Sequence, residues 1–170
     1  ASTLDPISAG RHKVFGNPSL SILPQTSTIA SHLPRSLGLA LALGRMQKLG
    51  LDCAWPTDSV VVCSFGDASA NHSTATGAVN AAAYCTYRGL PVPLLLVCED
   101  NGLGISVRSP DGWIEQTLSR YPGVEYRAVD GADTVGYAAP DIGIDGTPNG
   151  VALEVFSKAI VDGRPAVINP

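Results

Sequence analysis

The sequence predicts an α/β domain with an open, mostly parallel sheet and helices on both faces. Three observations carry that expectation. "SVVVCSF" (59–65) and "VPLLLVCED" (92–100) are short apolar runs rich in Val and Leu, without the alternation of a half-exposed strand. Such runs read as strands buried on both faces. Between them, "STATGAVNAAAYCTYRG" (73–89) is an Ala-rich helical stretch closed by Gly89. Strand, helix, strand in that order is a βαβ unit, whose crossover is expected to be right-handed.

The other elements follow in order. Residues 1–30 are polar, punctuated by Gly and Pro and without a period, so they read as loop. "SHLPRSLGLALALGRMQKLG" predicts a helix with Ser31 or His32 near its cap, Pro34 in its first turn and Gly50 as its stop. Its centre, Leu37 to Gly44, is apolar on every side. That pattern is expected of a helix buried all round, which calls for cover from a second domain or subunit. Further on, "GWIEQTLSRYPG" predicts a short helix and "VEYRAVDG" a strand. "PDIGIDGTPNG" (140–150) reads as loop, "GVALEVFSKAIVDG" as another helix and "RPAVINP" as a last strand. The 170 residues, 45% of them hydrophobic, suffice for a single α/β-sized core spanning 1–170. A start at Ala1 and a stop at Pro170, where a strand finishes, read as a piece of a longer polypeptide.

A net charge of −4 gives no electrostatic case for nucleic acid or an anionic membrane. No apolar stretch approaches the ~20 residues of a membrane span, and no secretory signal is visible at the N-terminus. Cys53, Cys63, Cys85 and Cys98 include no C-x-x-C pair. Free thiols in a reducing compartment are expected, with the cytoplasm as default and no zinc site.

Chemistry gathers at "SFGDASANHSTATG" (64–77). In open parallel sheets ligands bind beyond the carboxyl ends of strands, where loops lead into helices. Gly66-Asp67 lies at one such end, ahead of helix amides that favour phosphate. Gly66, Ala68, Ser69 and Ala70 are small enough for close approach to the backbone. A carboxylate there should repel phosphate, a conflict that a divalent cation between them would resolve. The next strand ends in "EDNGLGIS", so Asp100 and Asn101 fall at the neighbouring tip, Asn101 following Asp67 by 34 residues. Magnesium takes about six oxygens, few of them from protein. Asp67, the Asn101 amide oxygen and a main-chain carbonyl near Leu103 would be the protein share, with Gly102 and Gly104 permitting the turn. The plainer alternative is that Asp67 caps a helix and Asn101-Gly102 makes an ordinary turn.

The stretch "GDASANHSTATGAVNAAA…VCEDNGLGIS" resembles the thiamine-diphosphate motif, which opens with Gly-Asp and closes with Asn-Asn or a near equivalent. The whole is similar to the alpha-type dehydrogenase component of 2-oxoacid dehydrogenase complexes. "TSTIASHLPRSLGLALALG", "NGLGIS" and "VDGADTVGYAA" resemble further stretches of that family, in the same order, over roughly residues 20–139. The resemblance implies the thiamine-diphosphate-binding fold, with 1–170 as its diphosphate-binding domain. It implies Asp67, Asn101 and the Leu103 carbonyl as Mg²⁺ ligands, with Gly66, Ala68 and Ser69 beside the diphosphate. Ser27 and Ile29 match positions that meet the aminopyrimidine end of the cofactor. The implied activity is oxidative decarboxylation of a 2-oxo acid, the acyl fragment passing to a lipoyl group on a partner acyltransferase. The family's activating glutamate comes from a separate pyrimidine-binding (beta-like) domain or subunit, and its histidine-bearing loop would follow Pro170. An oligomer is therefore expected, and residues 1–170 alone are not expected to turn over a 2-oxo acid. The chain departs from the family at Ala68 (usually Gly), His72 (a Glu) and Glu99 (often Arg). Beyond Pro140 the similarity is poor.

Two other readings stay open: a transketolase-like or synthase enzyme of the same cofactor class, and a silent scaffold whose site has decayed. His72 reads as a capping or surface residue, with a phosphate contact as the functional alternative. Arg11, His12 and Lys13 read as a solvated loop, Trp55 and Trp113 as loop anchors, and Tyr84 and Tyr87 as packing.

Overall fold

A computed structural model describes residues 3–4, 9–10, 15–56, 58–104, 106–130 and 151–157. The segment taken as loop at 1–30 contains a small antiparallel hairpin, β1 (Phe15–Asn17) with β2 (Ile22–Gln25). Asn17 makes it possible. Its Oδ1 accepts from the amides of Ser19 at 3.0 Å and Leu20 at 3.2 Å, closing a one-turn 3₁₀ helix that begins at Pro18. Strands of three and four residues are too short to show a period, so the pairing had no sequence signal.

Helix α1 (His32–Leu49) ends as expected. Gly50, at φ +62°, lets its own amide reach the Gln47 carbonyl at 3.2 Å and the Leu51 amide reach Met46 at 3.0 Å. Leu33, Leu37, Ala40 and Gly44 form its buried stripe. All-round burial of 37–44 is not realised among the described residues. Gly38 and Ala42 face outward and Leu39, Leu41 and Leu43 are half-buried.

The central unit runs β3 (Val61–Gly66), α2 (Asp67–Ala70), α3 (Ser73–Tyr87) and β4 (Leu94–Asp100). β3 and β4 pair in parallel, Val61 with Leu94 through Gly66 with Glu99. Val61, Cys63 and Phe65, with Leu94, Leu96 and Cys98, form one buried face with α1 and the Ala75, Ala78, Val79 and Ala82 stripe of α3. The small stripe of α3 lets the two helices sit close together over the sheet. On β3 the other face stays open, Val62 being 64% exposed, so this strand alternates where burial on both faces was expected. β3 stands at one end of the described sheet.

A tight hairpin follows, β5 (Leu103–Gly104) with β6 (Val107–Arg108), then α4 (Trp113–Leu118) and β7 (Val124–Asp130). Residues 151–157, predicted as part of a helix, instead form β8 (Val151–Ser157). It inserts between β4 and β7, parallel to both, giving the strand order β3-β4-β8-β7. Val151, Leu153 and Val155 stand in register with Leu94, Leu96 and Cys98. A short apolar run does not distinguish helix from strand by period alone, and pairing along both edges decides for strand. The loop expected at 140–150 and the strand at 164–170 lie outside the described residues. No described helix is long and apolar enough to cross a membrane.

Candidate functional site

Parallel pairing of Gly66 with Glu99 brings two strand tips to one end of the sheet. Asp67 comes next after Gly66, and Asp100-Asn101 after Glu99. Asp67 is 2% exposed, a burial that an ionised carboxylate tolerates only when its oxygens are engaged. Oδ2 accepts a short hydrogen bond from the Ser109 hydroxyl, while no described hydrogen bond ends on Oδ1. Gly66 is extended, and a Cβ placed there would meet open space. Gly102, at φ +71°, opens on space in the same way. Both tips are therefore unobstructed where a ligand would approach.

Asn101 is half-buried, and its Oδ1 accepts from the Leu103 amide at 2.8 Å. An amide oxygen has a second lone pair, so this turn leaves one acceptor position on Asn101. Asp100 closes a similar but longer contact to the Gly102 amide, 3.4 Å. The Leu103 side chain is 52% exposed. Gly104 lies directly against α2, where an added Cβ would stand 3.2 Å from the Ala68 methyl. The Asn101–Gly104 loop is thereby pressed onto the segment that carries Asp67. Ala68, where the resembling family usually has Gly, fills space that Gly104 leaves.

Negative charge crowds this end of β4. Burial first, and then the Asp67 charge, push the Asp100 carboxyl above the ordinary aspartate range, against the lowering effect of the Gly102 amide. Burial pushes the Cys98 thiol well up, with Asp100, Asp67 and Glu99 adding to it in that order. None of the described hydrogen bonds to Asp67, Asp100 or Asn101 comes from Lys or Arg. Asp67, the Asn101 amide and the Leu103 carbonyl offer only oxygen atoms, hard donors of the kind that Mg²⁺ takes rather than the nitrogen and sulfur that zinc favours. Among the described residues there is no cluster of three or more His, Cys, Asp or Glu side chains able to bind a metal.

The remaining predicted residues are placed as follows. Ser69 is half-buried in α2, its carbonyl accepting from the His72 amide at 3.0 Å. Ser27 and Ile29 lie in the exposed turn before α1. Ala30 there holds φ +59° at the third position of the Thr28–Ser31 turn, a position that favours Gly. That backbone buries Ala30 and leaves Ile29 47% exposed. His32 ties the turn to the same end of the sheet, its Nε2 lying 2.9 Å from the Ser64 carbonyl oxygen. No described hydrogen bond joins Ser27 or Ile29 to Asp67 or Asn101. His72 caps α3, Nδ1 accepting from the Thr74 amide at 3.2 Å. Trp55 and Trp113 anchor loops as expected, on Ser21 and Asn71. Tyr84 and Tyr87, expected to pack, are 58% and 75% exposed, and Tyr84 is instead capped by Arg88. Arg11, His12 and Lys13 lie outside the described residues.

Sequence reasoning missed Ser109. The only signal was a hydroxyl at the base of the Asn-Gly hairpin. A cavity of about 480 Å³ beside α4, lined in part by Phe65, Asn71, Val79, Trp113 and Tyr121, includes neither Asp67 nor Asn101 in its wall.

The model described as "Dehydrogenase E1 component" matches residues 2–139. The chain belongs to the dehydrogenase E1 component family. This E1-family chain is 27% identical over 124 residues to 2-oxoisovalerate dehydrogenase subunit alpha 2, mitochondrial, of Arabidopsis thaliana. That match covers 71% of the chain and 23% of the relative, so the chain spans about a quarter of the relative's length. Among solved structures, transketolase from Leishmania mexicana superposes with TM-score 0.61 at 14% identity, over 79% of this chain and 20% of that one. A Pichia stipitis transketolase mutant reaches 0.62 at 20% identity, over 78% and 20%. A structure titled as a thiamin diphosphate-dependent enzyme from Mycobacterium smegmatis reaches 0.51 at 20% identity, over 81% and 25%. These likenesses establish the α/β fold of the E1 chain.

Proposed function

We propose that this E1-family chain supplies the diphosphate- and Mg²⁺-binding half of an enzyme that oxidatively decarboxylates a 2-oxo acid with thiamine diphosphate. The observation that carries the reading is the buried Asp67, placed at a strand tip beside the Asn101 loop with open space over Gly66 and Gly102. Asp67 Oδ1, the Asn101 amide oxygen and the Leu103 carbonyl would hold the cation. Gly66, Ala68 and Ser69 would flank the diphosphate, where the absence of bulk permits contact with main-chain amides. Ser27 and Ile29, on the turn that His32 fastens to β3, would face the aminopyrimidine end. When bound, thiamine diphosphate supplies a nucleophilic carbon and an electron sink for loss of CO₂ from the 2-oxo acid. This chain's share is orientation and charge balance: Asp67, just past the end of β3, would offset the charge of the cation, and the cation would offset that of the diphosphate.

A pyrimidine-binding domain or subunit would complete the site, a lipoyl-bearing acyltransferase would accept the acyl group, and the working form would be an oligomer in the cytoplasm. The test is calorimetric titration of the intact enzyme, with its partner subunit, by thiamine diphosphate in the presence of Mg²⁺. Mg²⁺-dependent binding that Asp67→Ala abolishes supports the reading. Binding that survives Asp67→Ala undiminished overturns it.

A further inference from the structure

Two side-chain bonds of equal sequence separation clamp α2 to the chain that leaves the β5–β6 hairpin. Ser109 donates to Asp67, and Trp113 Nε1 donates to Asn71 Oδ1 at 2.6 Å. Both pairs are 42 residues apart, so residues 67–71 and 109–113 are fastened to each other at both ends. Ser109 holds a second tie. Its amide donates to the Gly102 carbonyl at 3.0 Å, closing the base of the loop that carries Asn101. One residue thus grips both Asp67, by its side chain, and the Asn101 loop, by its main chain.

We infer that Ser109 is a positioning residue for divalent-cation binding, acting through Asp67. This rests on the cation-site reading above. A carboxylate rotates freely about its last bond unless one oxygen is held. The Ser109 hydroxyl holds Oδ2, which presents Oδ1 in one orientation and supplies the donor that a buried carboxylate needs. The Gly102 tie fastens the Asn101 loop to the same residue. Trp113 does different work. Its bond to Asn71 fixes the far end of α2, four residues beyond Asp67, and touches no expected ligand. The two clamps are structurally alike and functionally separable.

The test titrates Mg²⁺ into the intact enzyme at saturating thiamine diphosphate, by calorimetry, for wild type and Ser109→Ala, Ser109→Thr, Trp113→Phe and Asp67→Ala. Thermal midpoints are measured in EDTA. Groups that orient a metal's ligands are typically worth about 10- to 100-fold in metal affinity. Ser109→Ala is expected to weaken Mg²⁺ binding by about tenfold or more, and Ser109→Thr, which keeps the hydroxyl, to restore it to within about threefold. Trp113→Phe is expected to lower the thermal midpoint in EDTA at least as far as Ser109→Ala does, while leaving Mg²⁺ affinity unchanged. Equal Mg²⁺ affinity in wild type and Ser109→Ala, with Asp67→Ala abolishing binding, overturns the inference alone. Equal losses in Ser109→Ala and Trp113→Phe also overturn it, because clamping in general would then account for the effect. Binding unaffected by Asp67→Ala overturns the cation-site reading itself.

Discussion

Helix α1 offers one substitution with two opposite outcomes. Gly38 and Gly44 both lie in its interior, where Gly is about 0.8–1.0 kcal/mol less favourable than Ala. A Cβ at Gly38 meets nothing within 4 Å, so Gly38→Ala is expected to stabilise the protein by roughly that 0.8–1.0 kcal/mol. At Gly44 the same Cβ would stand 2.7 Å from Pro91 Cγ and 2.8 Å from the Pro91 carbonyl oxygen. Carbon contacts are favourable only from about 3.5 Å. The backbone oxygen has no rotamer with which to yield, so α1 or the Pro91 segment must move. Overpacking of this kind costs about 1–3 kcal/mol, which cancels or exceeds the gain in helix propensity. Gly44→Ala is thus expected to be less stable than Gly38→Ala by about 1–3 kcal/mol. That corresponds to a gap in thermal midpoint of several degrees, at about 2–4 °C per kcal/mol for a chain of this size. Urea unfolding of the two variants, checked by thermal melts, measures it. Equal stability of the two variants would refute the close approach of α1 to Pro91.

Other expectations follow from the same structure. Burial, chiefly, with Glu115 next, pushes the Tyr126 phenol up to about 12. The native state therefore keeps a proton that the unfolded chain releases near pH 10, and stability falls as pH rises from about 10 to 12. Tyr126→Phe should flatten that fall and remove the latest-titrating component of the ultraviolet tyrosine titration; an unchanged titration curve would count against the burial. Loss of the His32–Ser64 bond in His32→Ala should cost about 1 kcal/mol and speed amide exchange across the turn that holds Ser27 and Ile29. Unaltered exchange there would mean that the turn is held by other contacts. Gly77→Ala, on the exposed face of α3 with nothing within 4 Å of the new methyl, should stabilise by about 0.8–1.0 kcal/mol in the same unfolding assay.

Most of the sheet could be read before the structure, for physical reasons that also explain the failures. β3 and β4 are apolar runs bounded by Gly, Pro and Asp, and α3 lies between them with Gly89 at its end; local composition and order sufficed. β8 was misread because "VALEVFS" satisfies either period and only its neighbours, β4 and β7, determine its state. The β1–β2 hairpin depends on one side chain, Asn17, clasping two amides. The candidate site divides similarly. The placement of Asp67 and Asn101 just beyond neighbouring strand tips was legible because each follows a strand whose partner could be inferred. Ser109 was not, because its role arises from folding a hairpin back across α2, and no local pattern encodes that return. Tyr84 and Tyr87 were misplaced because spacing alone does not say which face of a helix the sheet covers.

The most direct measurement is a crystal structure of the intact enzyme grown with thiamine diphosphate and Mg²⁺. The account predicts one Mg²⁺ at about 2.0–2.1 Å from a carboxylate oxygen of Asp67, the Asn101 side-chain oxygen and the Leu103 carbonyl, with diphosphate oxygens completing its sphere. A cation bound elsewhere, or one that engages Asp67 while Asn101 stays turned onto the Leu103 amide and out of reach, would contradict it.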